Sequence, residues 1–186
     1  NICKSENIDT KKISPKYILS VIDSWKNKGW YPEEVAIKKK NILEKGFLSI
    51  YKIYQSKLIS LNTCDFSDLI LHCVKIFEKN TDIAELYSRN FKFILVDEYQ
   101  DTNLIQSKWL NYLAKYNKNI CCVGDDDQSI YSWRGAEIKN FLEFDKIYLN
   151  TKIIRLEKNY RSTQNILSVA SKLISNNQNR VGKNLY

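Results

Sequence analysis

Asp97 and Glu98 are adjacent carboxylates at the end of the apolar run Phe91-Lys92-Phe93-Ile94-Leu95-Val96. A run this short, rich in aliphatic and aromatic residues, predicts a strand buried on both faces of a parallel sheet. Ligands of open α/β sheets bind at the C-terminal ends of the strands. An Asp placed there can hold Mg²⁺ through water, and a neighbouring Glu can orient or deprotonate an attacking water. The pair lies in Val96-Asp97-Glu98-Tyr99-Gln100-Asp101-Thr102-Asn103 and has the form of the Walker B element of a nucleotide hydrolase. A lone Asp-Glu would be read better as a solvated acidic turn after a core strand.

Two further stretches stand close behind. Asn119-Ile120-Cys121-Cys122-Val123 predicts a second buried strand, emptying into Gly124-Asp125-Asp126-Asp127-Gln128-Ser129-Ile130-Tyr131-Ser132-Trp133-Arg134-Gly135-Ala136. Lys152-Ile153-Ile154-Arg155-Leu156 predicts a third strand, leading into Glu157-Lys158-Asn159-Tyr160-Arg161-Ser162-Thr163. In order and spacing the three stretches resemble motifs II, III and IV of superfamily 1 DNA helicases of the UvrD/Rep/PcrA type. Asp65-Phe66-Ser67-Asp68-Leu69-Ile70 also resembles the D-F-x-D-L-[IL] segment found upstream of motif II in that family. The triple Asp before Gln128 is more similar to this branch than to the RecB/AddA-type nuclease-helicases, whose loop more usually carries Pro-Lys there.

The resemblance implies ATP and Mg²⁺ as cofactors and a division of roles. Asp97 would hold the Mg²⁺ water shell, and Glu98 would be the catalytic base. Gln128 would contact the γ-phosphate or the attacking water. Arg161 would act like an arginine finger, its planar fork suited to phosphate oxygens, and Tyr160 would stack on the adenine. The residue matching Trp133 lies along the single-stranded DNA path in relatives. Tyr131 and Trp133 alternate on a segment expected to be extended, so both project to one side. With Arg134 beside them they suit stacking on single-stranded bases, whereas a core Trp is the competing reading. Asp125, Asp126 and Asp127 would shape the loop and partner basic groups rather than ligate a metal. Tyr160 and Arg161, taken alone, would be a helix-start pair at a domain edge.

Composition sets the frame. The 186 residues carry 29 basic and 21 acidic side chains, a net charge of +8 that invites a polyanionic partner. The excess is even along the chain, but from Lys158 onward there are basic residues and no acid. Five cysteines with no C-x-x-C pair, and one histidine, argue against a zinc site or a disulfide framework. Cys121 and Cys122 are read as small core residues. No apolar run approaches the ~20 residues of a membrane helix, and a reducing, cytoplasmic setting (nucleus or organelle in a eukaryote) is expected.

The elements that would position these residues are mostly helical. Residues 1–13 read as loop, and Ser14-Pro15 starts a helix through Ile18, Ile22 and Trp25 that ends near Gly29. A second helix opens at Tyr31-Pro32 and closes at Gly46, and a third covers Leu48 to Leu61. Phe66, Leu69, Ile70, Cys73, Val74 and Phe77 form the core stripe of a fourth, capped by Asp65, with His72 at its boundary. A short helix covers Thr81 to Tyr87. Another, through Ile105, Trp109, Leu110 and Leu113, crosses over between the first two strands, making a parallel βαβ unit. Ala136 to Tyr148 reads as helix with a loop, and a last helix starts at Ser162 and ends near Ile174.

The fold class expected is α/β and helix-rich: a partial RecA-like (P-loop NTPase) parallel sheet plus an N-terminal helical subdomain. The phosphate-binding signature G-x-x-x-x-G-K-[ST] does not occur; Gly182-Lys183 is the only Gly-Lys step. The chain is therefore expected to be an interior piece of a longer helicase, inactive alone. Residues 1–88 would be a helical insertion of the first motor domain, 89–157 the rest of its RecA-like core, and 158–186 the start of the second. The function expected of the parent is ATP-driven 3′-to-5′ movement on single-stranded DNA and at duplex/single-strand junctions, in replication or repair. A non-catalytic module binding nucleic acid or a helicase partner is the alternative. Strands this apolar with an open edge are expected to self-associate or to be covered by helices.

Overall fold

The computed structural model describes residues 2–6, 8–9, 11–38, 42–178, 180–183 and 185–186. In chain order they form helices α1 (Ile2–Ser5), α2 (Pro15–Asn27), α3 (Pro32–Lys38), α4 (Ile42–Ser60), α5 (Phe66–Lys79) and α6 (Thr81–Asn90), then strand β1 (Ile94–Val96). Helix α7 (Leu104–Ala114), strand β2 (Ile120–Cys122), helices α8 (Lys139–Leu142) and α9 (Phe144–Ile147), and helix α10 (Gln164–Ile174) follow. The described residues are helix-rich with one two-stranded sheet among them. The Ile94 amide donates to Asn119 O and the Val123 amide to Val96 O, which is parallel pairing.

The chain packs as two compact units. One comprises Asn1–Ile94 and Asn103–Ile120, and the other Leu95–Thr102 and Cys121–Tyr186. In the first, the Ser14 hydroxyl accepts the Tyr17 amide and Pro15 opens α2. Gly29, at φ 79°, ends that turn; a Cβ there would come within 3.0 Å of Ile105 Cδ1. Ile18, Ile22 and Trp25 of α2 bury against Val35 of α3 and Phe47, Ile50 and Tyr51 of α4. Helix α4 runs straight through Gly46, which corrects the break expected there. Glycine costs about 1 kcal/mol inside a helix, less than burying three large side chains recovers. Residues 39–41, where the second helix was expected to continue, lie outside those described. The expected N-terminal loop holds a short helix, α1, whose Ile2 and Cys3 pack on the same core; Asn1, Asn7 and Thr10 lie outside the described residues.

Helix α5 faces the core with Asp68, Leu71, Val74 and Phe77, so the expected stripe is buried at Val74 and Phe77, with Ile70 packed beside them, but not at its other positions. Phe66 is 92% exposed, and Leu69 and Cys73 are exposed as well. The cause is a buried ion pair. Lys26 of α2, fully buried, lies 2.6 Å from Asp65 Oδ2 and 2.8 Å from Asp68 Oδ1, and Gln55 Nε2 donates to Asp68 at 2.9 Å. Asp65 and Asp68 also form a reciprocal capping box at the start of α5. The D-F-x-D-L segment thus fastens α5 to α2 and α4. His72 sits at the boundary, stacked on Tyr31 at 5.7 Å and hydrogen-bonded to its hydroxyl. Leu71, Val74 and Ile105, then Phe77, Ala84 and Leu113, continue the core onto α6 and α7. Helix α7 carries its own capping box from Asn103 and Gln106.

The strands depart from expectation in three ways. They are not buried on both faces: Leu95 is 82% exposed, and Cys121 and Val123 are exposed too, so Cys121 is no core residue. Each is three residues long. The third expected strand, Lys152–Leu156, is not formed. Its segment has no ladder partner among the described residues, and Ile153, Ile154 and Leu156 are exposed. A strand exists only where a neighbour takes its backbone groups. Helix α10 begins at Gln164 after Thr163, rather than at a Ser162 cap. The Asn159 side chain accepts the amides of Arg161 and Ser162, at 2.9 and 2.8 Å, and keeps Ser162 in a turn.

Candidate active site

Parallel pairing of β1 and β2 brings their C-terminal ends side by side. The Val123 amide bonds to Val96 O, and the Tyr99 amide returns to Val123 O at 3.0 Å. Asp97-Glu98 and Gly124-Asp125 therefore leave the sheet as neighbours. Asp97 and Glu98 are both exposed. Asp97 Oδ1 accepts the Glu98 amide at 2.9 Å. Glu98 has φ 51° and ψ 40°, a left-handed conformation that costs a non-glycine residue ~1–2 kcal/mol. Such outliers concentrate where function requires a set geometry. This one turns the chain from the strand into the 3-10 turn Tyr99–Asp101. Tyr99 anchors that turn, fully buried and edge-on to Phe144 at 5.5 Å.

A 3-10 turn, Asp126–Gln128, carries Gln128. Gln128 is exposed, and its Nε2 donates to Asp125 Oδ2 at 2.6 Å. The acidic triplet is met by the acid-free end of the chain. Arg180 grips Asp127 with two hydrogen bonds, Nε to Oδ1 at 2.8 Å and a terminal nitrogen to Oδ2 at 2.5 Å. Lys183 pairs with Asp125, and the Val181 amide donates to Asp126 Oδ2 at 2.7 Å. Burial works to raise the Asp125 carboxyl, but hydrogen bonds from Lys183 and Gln128 hold it below the usual carboxylate range. Although the three carboxylates lie within 4.8 Å of one another, lysine, arginine and backbone N–H groups already take up their charge.

Downstream, Ser132–Arg134 forms a 3-10 turn, so the segment is not extended as expected. The turn still sets the two rings together, with centroids 6.2 Å apart. The Arg134 guanidinium lies 4.9 Å from the Tyr131 ring and 4.8 Å from the Trp133 ring. Trp133 is 73% exposed and is not packed in a core. Tyr160 is 85% exposed, with Lys158 Nζ 5.2 Å from its ring. Among the described residues, no hydrogen bond or ion pair joins Tyr160 or Arg161 to Asp97, Glu98 or Gln128.

Three residues of this network carry no role in the sequence reading: Gln100, Arg180 and Lys183. Gln100 is 1% exposed and bonds to both Glu98 and Asp125. A glutamine in a turn gives no periodicity by which burial can be read. For Arg180 and Lys183 a signal did exist, in basic residues without acids following a run of three aspartates.

Residues 1–148 match the family model of the UvrD/REP helicase N-terminal domain. The chain is 48% identical over its whole length to a probable DNA helicase II homolog of Rickettsia conorii, covering 29% of that protein. It is 45% identical, again over its whole length, to the ATP-dependent DNA helicase PcrA of Bacillus subtilis, covering 25% of it. The chain thus spans between a quarter and a third of the length of these relatives. No described helix is long and apolar enough to cross a membrane. With a family model matched over most of its residues, the chain belongs to the UvrD/REP helicase N-terminal domain family.

Proposed function

We propose that this chain is the motif II to motif IV region of an ATP-driven DNA helicase of RecA-like motor fold, which moves 3′ to 5′ on single-stranded DNA. The observation that carries the reading is the joining of two strand-end loops. The carboxylates Asp97 and Glu98 and the loop bearing Gln128 leave adjacent parallel strands and share one hydrogen-bond network. Names of the relatives, DNA helicase II and ATP-dependent DNA helicase, support the same class. Residues 1–88, 89–157 and 158–186 are assigned to the helical insertion, the first motor core and the start of the second.

The donor set fits a hard divalent ion. Asp97 is an exposed carboxylate with one oxygen held by an amide, and no lysine or arginine pairs with it among the described residues. Mg²⁺ bound with ATP would neutralise phosphate charge, keeping most of its waters. Asp97 would hold that water shell, and Glu98 would accept the proton of the attacking water. Gln128 would orient that water or touch the γ-phosphate, Arg161 would meet developing charge on the phosphoryl oxygens, and Tyr160 would offer its exposed ring to adenine. Without the G-x-x-x-x-G-K-[ST] loop this chain alone turns over no ATP. Replication or repair in the cytoplasm is the proposed setting.

Tyr131, Trp133 and Arg134 form the proposed contact with single-stranded bases. In the complete polypeptide, Trp133→Ala is expected to weaken single-stranded DNA affinity by roughly tenfold, the worth of about one stacked base. DNA-stimulated ATP hydrolysis falls with it, and the DNA-free rate changes less. Fluorescence anisotropy with oligo-dT, alongside both hydrolysis rates, makes the check. Unchanged affinity and stimulation would remove Trp133 from the DNA path.

A further inference from the structure

Gln100 spends both ends of its carboxamide on the two loops of the site. Its Nε2 donates to Glu98 Oε2 at 2.7 Å, and its Oε1 accepts the Asp125 amide at 3.1 Å. The partners fix the orientation of the group. Reversed, its oxygen would face a carboxylate and its NH₂ would face an N–H. Gly124 leaves the space for it, since a Cβ there would lie 2.6 Å from Gln100 Oε1 and 2.7 Å from Phe141 Cε2. Asp125, fixed through its backbone by Gln100, in turn holds Gln128 through its side chain. One continuous chain of hydrogen bonds therefore runs from Glu98 through Gln100 and Asp125 to Gln128.

We infer that Gln100 is a positioning residue for hydrolysis, holding the Glu98 carboxylate in place and tying it to the loop that carries Gln128. The inference rests on the assignment of Glu98 as base made above. Glu98 is an exposed side chain that free rotation would scatter among rotamers, each but one wrong for taking a proton from a water. A buried donor on the carboxylate restricts it. A buried amide satisfied at both ends is itself costly to displace. Because the same amide grips the Asp125 backbone, a shift of the Gln128 loop is felt at Glu98. Gln100 touches no reacting atom in this scheme.

The test is a double-mutant cycle in the complete polypeptide, with kcat and KM for ATP measured at saturating single-stranded DNA. Q100M is expected to lower kcat about tenfold or more, the scale of one hydrogen bond to a charged group, and to leave KM nearly unchanged. Q100E keeps an acceptor for the Asp125 amide but sets a second carboxylate against Glu98, and is expected to lose at least as much. In the Glu98→Gln background Q100M should cost nothing further, because its effect passes through that carboxylate. Should Q100M fail to fold, as read by its thermal melt, the cycle is completed with Q100E, which keeps side-chain size and the Asp125 contact. Normal kcat for the Gln100 variants beside a strongly impaired Glu98→Gln overturns the positioning role and leaves the base assignment standing. Fully multiplicative losses in the double variant overturn it too. Normal turnover by Glu98→Gln overturns the base assignment and this inference with it.

Discussion

Replacing Glu98 with Gln in the complete polypeptide is expected to cut steady-state ATP hydrolysis by roughly 10²- to 10⁴-fold, the range lost with a general base. Nucleotide binding should persist. The substitution keeps side-chain length and leaves an oxygen for the Gln100 donor, so the 3-10 turn and the left-handed backbone at residue 98 have no reason to change. What is removed is the capacity to take a proton. The two readouts therefore separate: turnover collapses while fluorescent-nucleotide affinity stays near that of the parent. Near-normal hydrolysis would sink the base assignment.

The second large effect concerns stability. Lys26→Met leaves the Asp68 carboxylate fully buried, with Gln55 and the capping amide but no permanent counter-charge, since His72 at 3.8 Å is charged only when protonated. Removing one partner of a buried pair costs ~3–5 kcal/mol. For a chain of this length each kcal/mol shifts the melting temperature by about 2–4 °C, so a loss of roughly 10 °C is expected. Replacing both partners, as Lys26→Met with Asp68→Leu, should recover most of it, because the uncompensated charge is gone. Asp65 adds a pH signature. Burial works to raise its carboxyl, but the hydrogen bonds from Lys26, the Asp68 amide and Tyr54 hold it below its ordinary value. A carboxylate depressed in the folded state stabilises above its unfolded value of about 4 and loses that contribution as pH falls. The parent should therefore lose stability on acidification below about pH 5, and Lys26→Met should lose less over the same window. Thermal melts across pH 3 to 7 make the comparison. A melting temperature unchanged in Lys26→Met would show that the pair contributes nothing.

How far the sequence shows all this depends on the range of the interactions. Helix α2 is legible because Ser14 and Pro15 act within one turn, and the caps at Asp65 and Asn103 act over three residues. The buried face of α5 is legible only in part, at Val74 and Phe77. It is turned by Lys26, about forty residues earlier, and an aspartate on a core face is invisible to apolar periodicity. The segment 152–156 has the composition of a strand, yet composition supplies no neighbour for its backbone. Gly46 reads as a stop, but the apolar residues after it keep α4 helical. At the site, Asp97, Glu98 and Gln128 stand out through residue type and position. Gln100, which links them, is ordinary in type and gains its importance only when β2 lies beside β1.

The most direct measurement is ATP hydrolysis by the complete polypeptide with Mg²⁺, with and without single-stranded DNA. Hydrolysis that requires Mg²⁺ and rises steeply on adding oligo-dT is expected, with the rise blunted by Trp133→Ala and the whole signal abolished by Glu98→Gln. A well-folded complete polypeptide that hydrolyses no ATP, whether or not single-stranded DNA is present, would contradict the assignment of Asp97, Glu98 and Gln128 to an ATP-driven DNA motor.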